Sequence, residues 1–457
     1  LNKGERQTAW LLFAMNLIIH LPFLFMGYGK EEDAWSNVLN ARLISSTGVY
    51  EVSRLPGHPL YEGLLSFLYP YLHDAWFFNG LSALASAFAV YFFYKILLSI
   101  KIPHAFWLTL CLTFIPVFFI AGTYTIDYNF ALLFILLSFY LLIKKQWVFA
   151  GIFLGLAVGF RISSLGFLLP WLIWCINQKT APAQIGKLVL SSLMISALVF
   201  KLPFDVYGLS FLDFHKPPFP SLSNILYKLS LGIWGLPLSL FLVYILIRQI
   251  GQWKNVFKEH RKLLIIALLA VLMQLAVFLR LPFKSEFFIP ALPFCLIVLG
   301  FLISRKQAMT LSLFAFFSVF LFGFDYASKS RGARPSPLAL KFKASGQTVF
   351  LDPVKGPAFI DQSKRKHKSD YVDRVIEWSA QEEYPFHIIS GWFWAELAVK
   401  LPEQEIQDFD YFSTEQELIE ASALGKNIYY LPEINQSNSE VYQHYLADSL
   451  GQVLRPL

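Results

Sequence analysis

Charge is scarce in this chain. Only 15% of its 457 residues are Asp, Glu, Lys or Arg, against 56% hydrophobic and 17% aromatic residues. A soluble domain of that length exposes far more charge, so a soluble globular protein is excluded and an integral membrane protein is expected. Cysteine is scarcer still. Cys111, Cys175 and Cys295 all fall inside apolar stretches, which suggests neither a disulfide framework nor a thiolate metal site. Charges in the middle of apolar stretches are few, Lys201 near an end being one, and no internal repeat is visible. Transporters place substrate and ion sites near the bilayer midplane, often between inverted repeats, so that class is disfavoured. The formal charge is +7 with a pI of about 9.0. That excess gathers in short loops, where it reports topology rather than a nucleic-acid partner.

What the chain has in abundance is apolar stretches long enough to cross a hydrocarbon core, about eleven of them. They run over 8–26, 76–98, 104–121, 125–143, 147–160, 162–176, 186–203, 225–247, 263–279, 285–303 and 308–324, the fifth and sixth being short. The first carries no small-residue cleavage site and is expected to be a retained span. With the first end set inside, Lys95, Lys101, Lys144, Lys145, Lys179, Lys187, the cluster from Arg248 to Lys262, Arg305 and Lys306 all share one side. That side is cytoplasmic by the positive-inside rule. The opposite turns are acidic: Glu31, Glu32, Asp33, Glu51, Glu62, Asp127, Asp205, Asp213 and Glu286. An odd number of spans leaves the chain end outside.

Composition changes near Phe324. Residues 328–337 read as a linker, so the expected division is a transmembrane domain over 1–326 and an extracytoplasmic α/β domain over 327–457. In the second, strand-like runs at 348–351, 386–389 and 427–431 alternate with helical ones at 371–380, 391–401, 414–423 and 439–450. Such alternation predicts a small, largely parallel sheet. It holds no glycine-rich phosphate loop and no metal-ligand spacing, and a structural or acceptor-guiding cap is the expectation. Asn435-Gln436-Ser437 has the form of a glycosylation sequon but stands alone.

The candidate chemistry lies on the outer face. Glu31, Glu32 and Asp33 open the long first outer loop, and Arg54 and His58 close it. Asp127 sits at the next outer turn, Arg161 at the turn between the fifth and sixth stretches, and Arg280, Lys284 and Glu286 at the turn between the ninth and tenth. Acids packed against a span repel one another and sit poorly against lipid, which marks a solvated pocket. If the bundle brings these turns together, carboxylates meet cations at head-group depth. Arg and Lys can stabilise a departing phosphate, and a carboxylate among others gains the proton affinity of a general base.

The order of these features resembles the GT-C superfamily of polyprenyl-phosphate-sugar-dependent glycosyltransferases, nearest in style to its protein O-mannosyltransferase and lipid A aminoarabinose transferase branches. The acidic first-loop motif of that family is matched by Glu32-Asp33-Ala34-Trp35. The Gly-x-Tyr and Arg/His-Pro elements are matched by Gly48-Val49-Tyr50 and by the run from Arg54 through His58 and Pro59 to Tyr61. A second outer-loop acid matches Asp127, and a late basic and acidic turn matches the segment from Arg280 to Pro293. The resemblance covers roughly residues 8–324 and implies a polytopic α-helical, GT-C-like catalytic domain with a C-terminal soluble α/β domain, in the inner (plasma) membrane of a bacterium. It implies a sugar moved from a polyprenyl-phosphate donor to a lipid, polysaccharide or protein acceptor, with inversion, at the outer face of the bilayer. Asp33 is the favoured base with Glu32 close behind, and Asp127 orients the acceptor or assists. Arg161, Arg280 and Lys284 bind the donor phosphate, while Glu31, Arg54, His58, Tyr61 and Glu286 line the pocket. No cofactor is required, although the acids are compatible with a divalent cation.

Departures from the pattern leave alternatives open. The first acid of the pair is Glu rather than Asp, and Pro56-Gly57 stands where two prolines are expected. Asp127 reads equally as the N-cap of the following span. Arg161 reads also as a snorkelling interfacial side chain, and Glu286 as an ion-pair partner only. The rival functions are a lipid-linked glycan translocase or envelope-assembly scaffold, and a ligase using a diphosphate-linked glycan.

Overall fold

The structure, a computed structural model, describes residues 3–212, 219–326, 335–344, 347–402, 405–431 and 455–456. Asp213, most of the expected linker, the sequon and the helix expected over 439–450 lie outside the described residues. Helices stand at each of the eleven apolar stretches. Among the described residues, four helices are by length and composition able to cross a membrane: Ala75–Ser99, Pro182–Val199, Trp253–Arg280 and Ser285–Leu302. The stretch expected as one span over 225–247 is instead a bent pair, Leu222–Trp234 and Leu236–Arg248, meeting at 97°. The bend turns on Gly235, whose φ of +70 and close approach to Ser318 leave no room for a side chain. Likewise 104–121 is two helices, Ala105–Thr113 and Pro116–Ala121, the second opening on its proline.

Small residues set one close helix contact. Gly151, Gly155 and Gly159 recur every fourth position on Trp147–Phe160 and face Pro182–Val199. A Cβ would lie 2.4 Å from the Leu188 carbonyl at Gly151 and 2.8 Å from the Ser192 carbonyl at Gly155. This is backbone-to-backbone packing of the small-xxx-small kind. Gly155→Val is expected to force the pair apart and lower stability by about 1–3 kcal/mol. Thermal unfolding in detergent measures it, with Gly186→Ala, where a Cβ meets nothing within 4 Å, as the neutral control.

The first outer loop is not a loop. It folds into two helices, Glu32–Thr47 and Pro59–Leu68. The first buries Ala34, Trp35, Val38 and Ala41 and ends at Gly48 in the left-handed conformation. Between them the chain is pinned by Glu62, which is fully buried. Glu62 accepts hydrogen bonds from the Tyr50 hydroxyl (2.6 Å), the Ser53 amide (2.8 Å) and the Ser53 hydroxyl (2.7 Å). The Tyr of the Gly-x-Tyr element therefore shapes the turn that presents Arg54.

Beyond the bundle the described strands form two sheets. β1 (Gly323–Tyr326) and β2 (Leu340–Ala344) flank β3 (Gln347–Asp352), both antiparallel to it. The run at 348–351 thus belongs to an antiparallel sheet, not to the parallel one. The second sheet is parallel, in the order β5-β4-β6-β7, from β4 (Phe386–Ile389), β5 (Phe409–Asp410), β6 (Asn427–Tyr430) and β7 (Arg455–Pro456). The helix expected over 371–380 starts much earlier, at Pro357–Ser379. It runs back onto the bundle: Arg365 donates to the Thr123 carbonyl (2.8 Å) and hydroxyl (2.6 Å), and Asp361 pairs with Lys30 at 3.0 Å. Arg42 in turn donates to the Ala398 carbonyl at 2.8 Å.

Candidate active site

Six charged side chains from five separate segments form one alternating ladder. Lys284 lies 2.6 Å from Glu31 and also pairs with Asp33. Asp33 meets Arg54 Nη1 at 2.5 Å, and Arg54 Nη2 meets Asp127 at 3.0 Å. Asp127 closes on Arg161 at 2.6 Å. Three acids and three bases alternate, so each charge has an opposite neighbour and none of the five contacts joins like charges.

Local structure explains the placement. Glu31 is the N-cap residue of Glu32–Thr47, and Glu32 and Asp33 occupy its first turn, where the helix's unpaired amides favour negative charge. Asp127 holds the N-cap position of Tyr128–Ile143, yet its side chain makes no capping bond. Its oxygens go to the two arginines instead. Arg161 follows the last residue of Trp147–Phe160 in an extended conformation, and its guanidinium lies 4.1 Å from the Tyr128 ring centre. That is a packed cation–aromatic contact rather than a snorkelling chain. His58 has Nδ1 2.8 Å from the Phe160 carbonyl and Nε2 3.1 Å from Arg54 Nε. This pattern is that of a neutral ring which donates through Nδ1 and accepts from Arg54. Burial holds the imidazole below its ordinary value.

The ladder has two tiers. Asp127 is fully buried, with Arg161 and His58 nearly so, whereas Asp33, Arg54 and Lys284 are each about a quarter exposed. Asp33 and Lys284 face a cavity of about 410 Å³ that is lined also by Lys30, Glu31, Glu32 and, from the C-terminal segment, Lys368 and Trp392; Arg54, paired with Asp33, is not among its lining residues. A second cavity of about 300 Å³ shares Lys30 and Glu31 and extends toward Ser285, Glu286 and Tyr227. Glu286 therefore lines this second space and not the ladder. Tyr61 is buried with its ring 5.3 Å from Phe130. Arg280 is exposed at the end of Trp253–Arg280. Among the described residues no group of three His, Cys, Asp or Glu side chains is placed to hold a metal ion.

The neighbouring carboxylates differ sharply. Burial works to raise Asp33, but Arg54 and Lys284 outweigh it and hold the group well below the usual carboxylate range. At Glu32, burial and the Asp33 charge act together and push the carboxyl up to about 7, only partly opposed by Lys368 and Lys284. Glu32 thus borders the cavity as the acid able to exchange a proton near neutrality. The ladder residues are legible in the chain as charges on one face, whereas nothing in the local pattern around Lys368 and Trp392 marks them as lining the cavity.

No family model and no curated protein sequence matches this chain. Among solved structures, the crystal structure of ArnT from Cupriavidus metallidurans in the apo state superposes with a TM-score of 0.59. The match covers 97% of this chain and 95% of that one, at 11% identity. The chain has the ArnT fold. It is a mostly helical chain with apolar helices long enough to cross a membrane. The superposition extends through the C-terminal segment, which lies beyond the motifs that carried the resemblance.

Proposed function

We propose that this protein is a membrane glycosyltransferase that moves a sugar from a polyprenyl-phosphate donor to an acceptor hydroxyl at the extracytoplasmic face, inverting the anomeric centre. The observation that carries this reading is the convergence of the ladder beside a chamber at one end of the helices, the end that the charge pattern assigns to the outside. The N-terminus then lies in the cytoplasm and the C-terminal segment covers the chamber from outside.

The residues divide the work by tier. Lys284, which lines the cavity, and Arg54, about a quarter exposed and paired with Asp33, hold the donor phosphate. Asp33 keeps both cations aimed while the chamber is empty. Asp127, Arg161 and His58 are positioning residues behind Arg54, and the exposed Arg280 is left outside the phosphate set. The acceptor oxygen attacks the anomeric carbon from the face opposite the phosphate and gives its proton to Glu32. The bond from that carbon to the phosphate oxygen breaks, and its electron pair leaves with the phosphate. The extra negative charge that appears there is what Lys284 and Arg54 stabilise.

Purified protein incubated with a polyprenyl-phosphate sugar and envelope-lipid or glycan acceptors tests the reading. Mass spectrometry should find free polyprenyl monophosphate accumulating with time. Release of a polyprenyl diphosphate from a diphosphate-linked glycan would identify a ligase instead. Movement of intact donor across a vesicle membrane, with no lipid phosphate released, would identify a translocase.

A further inference from the structure

Lys368 belongs to the helix Pro357–Ser379, and its side chain is only 12% exposed. It lines the larger cavity together with Glu31, Glu32 and Asp33. Its ion-pair partner, Glu396, is a loose one at 3.8 Å. Glu396 has a nearer cation in Lys400 at 3.1 Å, which also reaches Asp373 at 2.8 Å. Lys368 is therefore not committed to Glu396. The charged groups that face it are Glu396, Glu32, Glu31 and Lys400. The titratable groups that face Glu32 are Asp33 on its own helix, Lys368, Lys284 from the late outer turn, and the neutral phenol of Tyr411 following β5. Lys284 is already tied to Asp33 and Glu31. Of the two cations acting on Glu32, Lys368 is the one that can be removed without cutting the ladder.

We propose that Lys368 is a positioning residue for the proton acceptor, its ammonium standing between Glu396 and Glu32 so that the C-terminal segment sets the charge balance inside the chamber. The segment is then part of the reaction site and not a passive cover. Coulomb's law gives the direction: a nearby cation favours the ionised carboxylate, and its loss favours the protonated one. Glu396 competes for the same cation, so its neutralisation should act in the opposite sense. The proposal rests on the reading of Glu32 as proton acceptor, but the proximity it asserts can be tested without turnover.

The experiment is an infrared titration of carboxyl absorbance on purified full-length protein, in which subtracting the E32Q spectrum isolates Glu32. Matched subtractions with E32Q follow for K368Q, K368R and E396Q. The Glu32 midpoint should rise by roughly half a pH unit or more in K368Q, stay near its original value in K368R, and fall in E396Q. An unchanged midpoint in K368Q, or an upward move in E396Q, overturns the proposal. Where K368Q does not fold, E396Q alone decides by its sign. Full turnover by E32Q would remove the assignment of the base, and the infrared result would still stand or fall by itself.

Discussion

Glu32→Gln should reduce the turnover rate by about 10²–10⁴-fold, the range a positioned general base supplies, with the donor KM nearly unchanged. Gln fills the same volume and keeps a polar end, so insertion and thermal midpoint should be preserved. The pH dependence gives the sign. Only the ionised carboxylate accepts a proton, and burial with the Asp33 charge pushes Glu32 up to about 7. The rate should therefore rise with pH through about that value and level off above it. Asp33→Asn should behave differently. Arg54 and Lys284 hold Asp33 well below the usual carboxylate range, which makes it a weak base but a firm anchor. Its loss should raise the donor KM through misplaced cations as well as lower the rate. A rising limb that persists in E32Q would move the base elsewhere, and full activity in both variants would remove the acidic pair from the chemistry altogether.

Asp127→Ala should be the most damaging single change to the fold of the site. Asp127 is fully buried and meets two guanidiniums, Arg54 at 3.0 Å and Arg161 at 2.6 Å. Removing one partner from a buried ionic network leaves uncompensated charge, at a cost of roughly 3–5 kcal/mol. Here the two arginines would face each other with no carboxylate between them. A clear fall in the thermal midpoint and loss of transfer are expected together. The paired change Asp127→Ala with Arg161→Leu should recover part of the stability but not the activity, because one surplus cation is gone while Arg54 is held by Asp33 alone. A double-variant cycle measures that coupling. Additive losses would mean that Asp127 and Arg161 do not act as a pair.

Much of this arrangement could be read from the chain before its fold. Hydropathy marks where helices stand, because a helix that meets lipid must be apolar. It does not count spans: four of the described helices are long enough to cross, and two of the expected stretches are broken in two. Sidedness placed Asp33, Asp127, Arg161 and Lys284 on one face, since each sits at the same kind of turn. The helix Glu32–Thr47 was not legible. Its Ser, Asn and Thr residues are indifferent helix formers, and it is held by burying Trp35 and Val38 against neighbours far away in sequence. The 97° bend at Gly235 was hidden for a related reason: a glycine in an apolar run signals nothing until Ser318 is seen beside it. Strand 348–351 was found, but a single strand does not announce whether its partners are parallel. Lys368 was the furthest from view. It sits in the basic run from Lys364 to Lys368, which reads as a solvated helix face until the helix is docked over Glu32.

With donor bound, the ladder should hold the phosphate while Glu32 faces the acceptor. A structure determined with a non-cleavable polyprenyl-phosphonate sugar bound tests this most directly. Phosphonate oxygens are expected within hydrogen-bond distance of Lys284 and Arg54, with the acceptor side of the anomeric carbon turned toward Glu32. A phosphonate bound away from both cations, with the Lys284–Asp33–Arg54 contacts undisturbed, would contradict it.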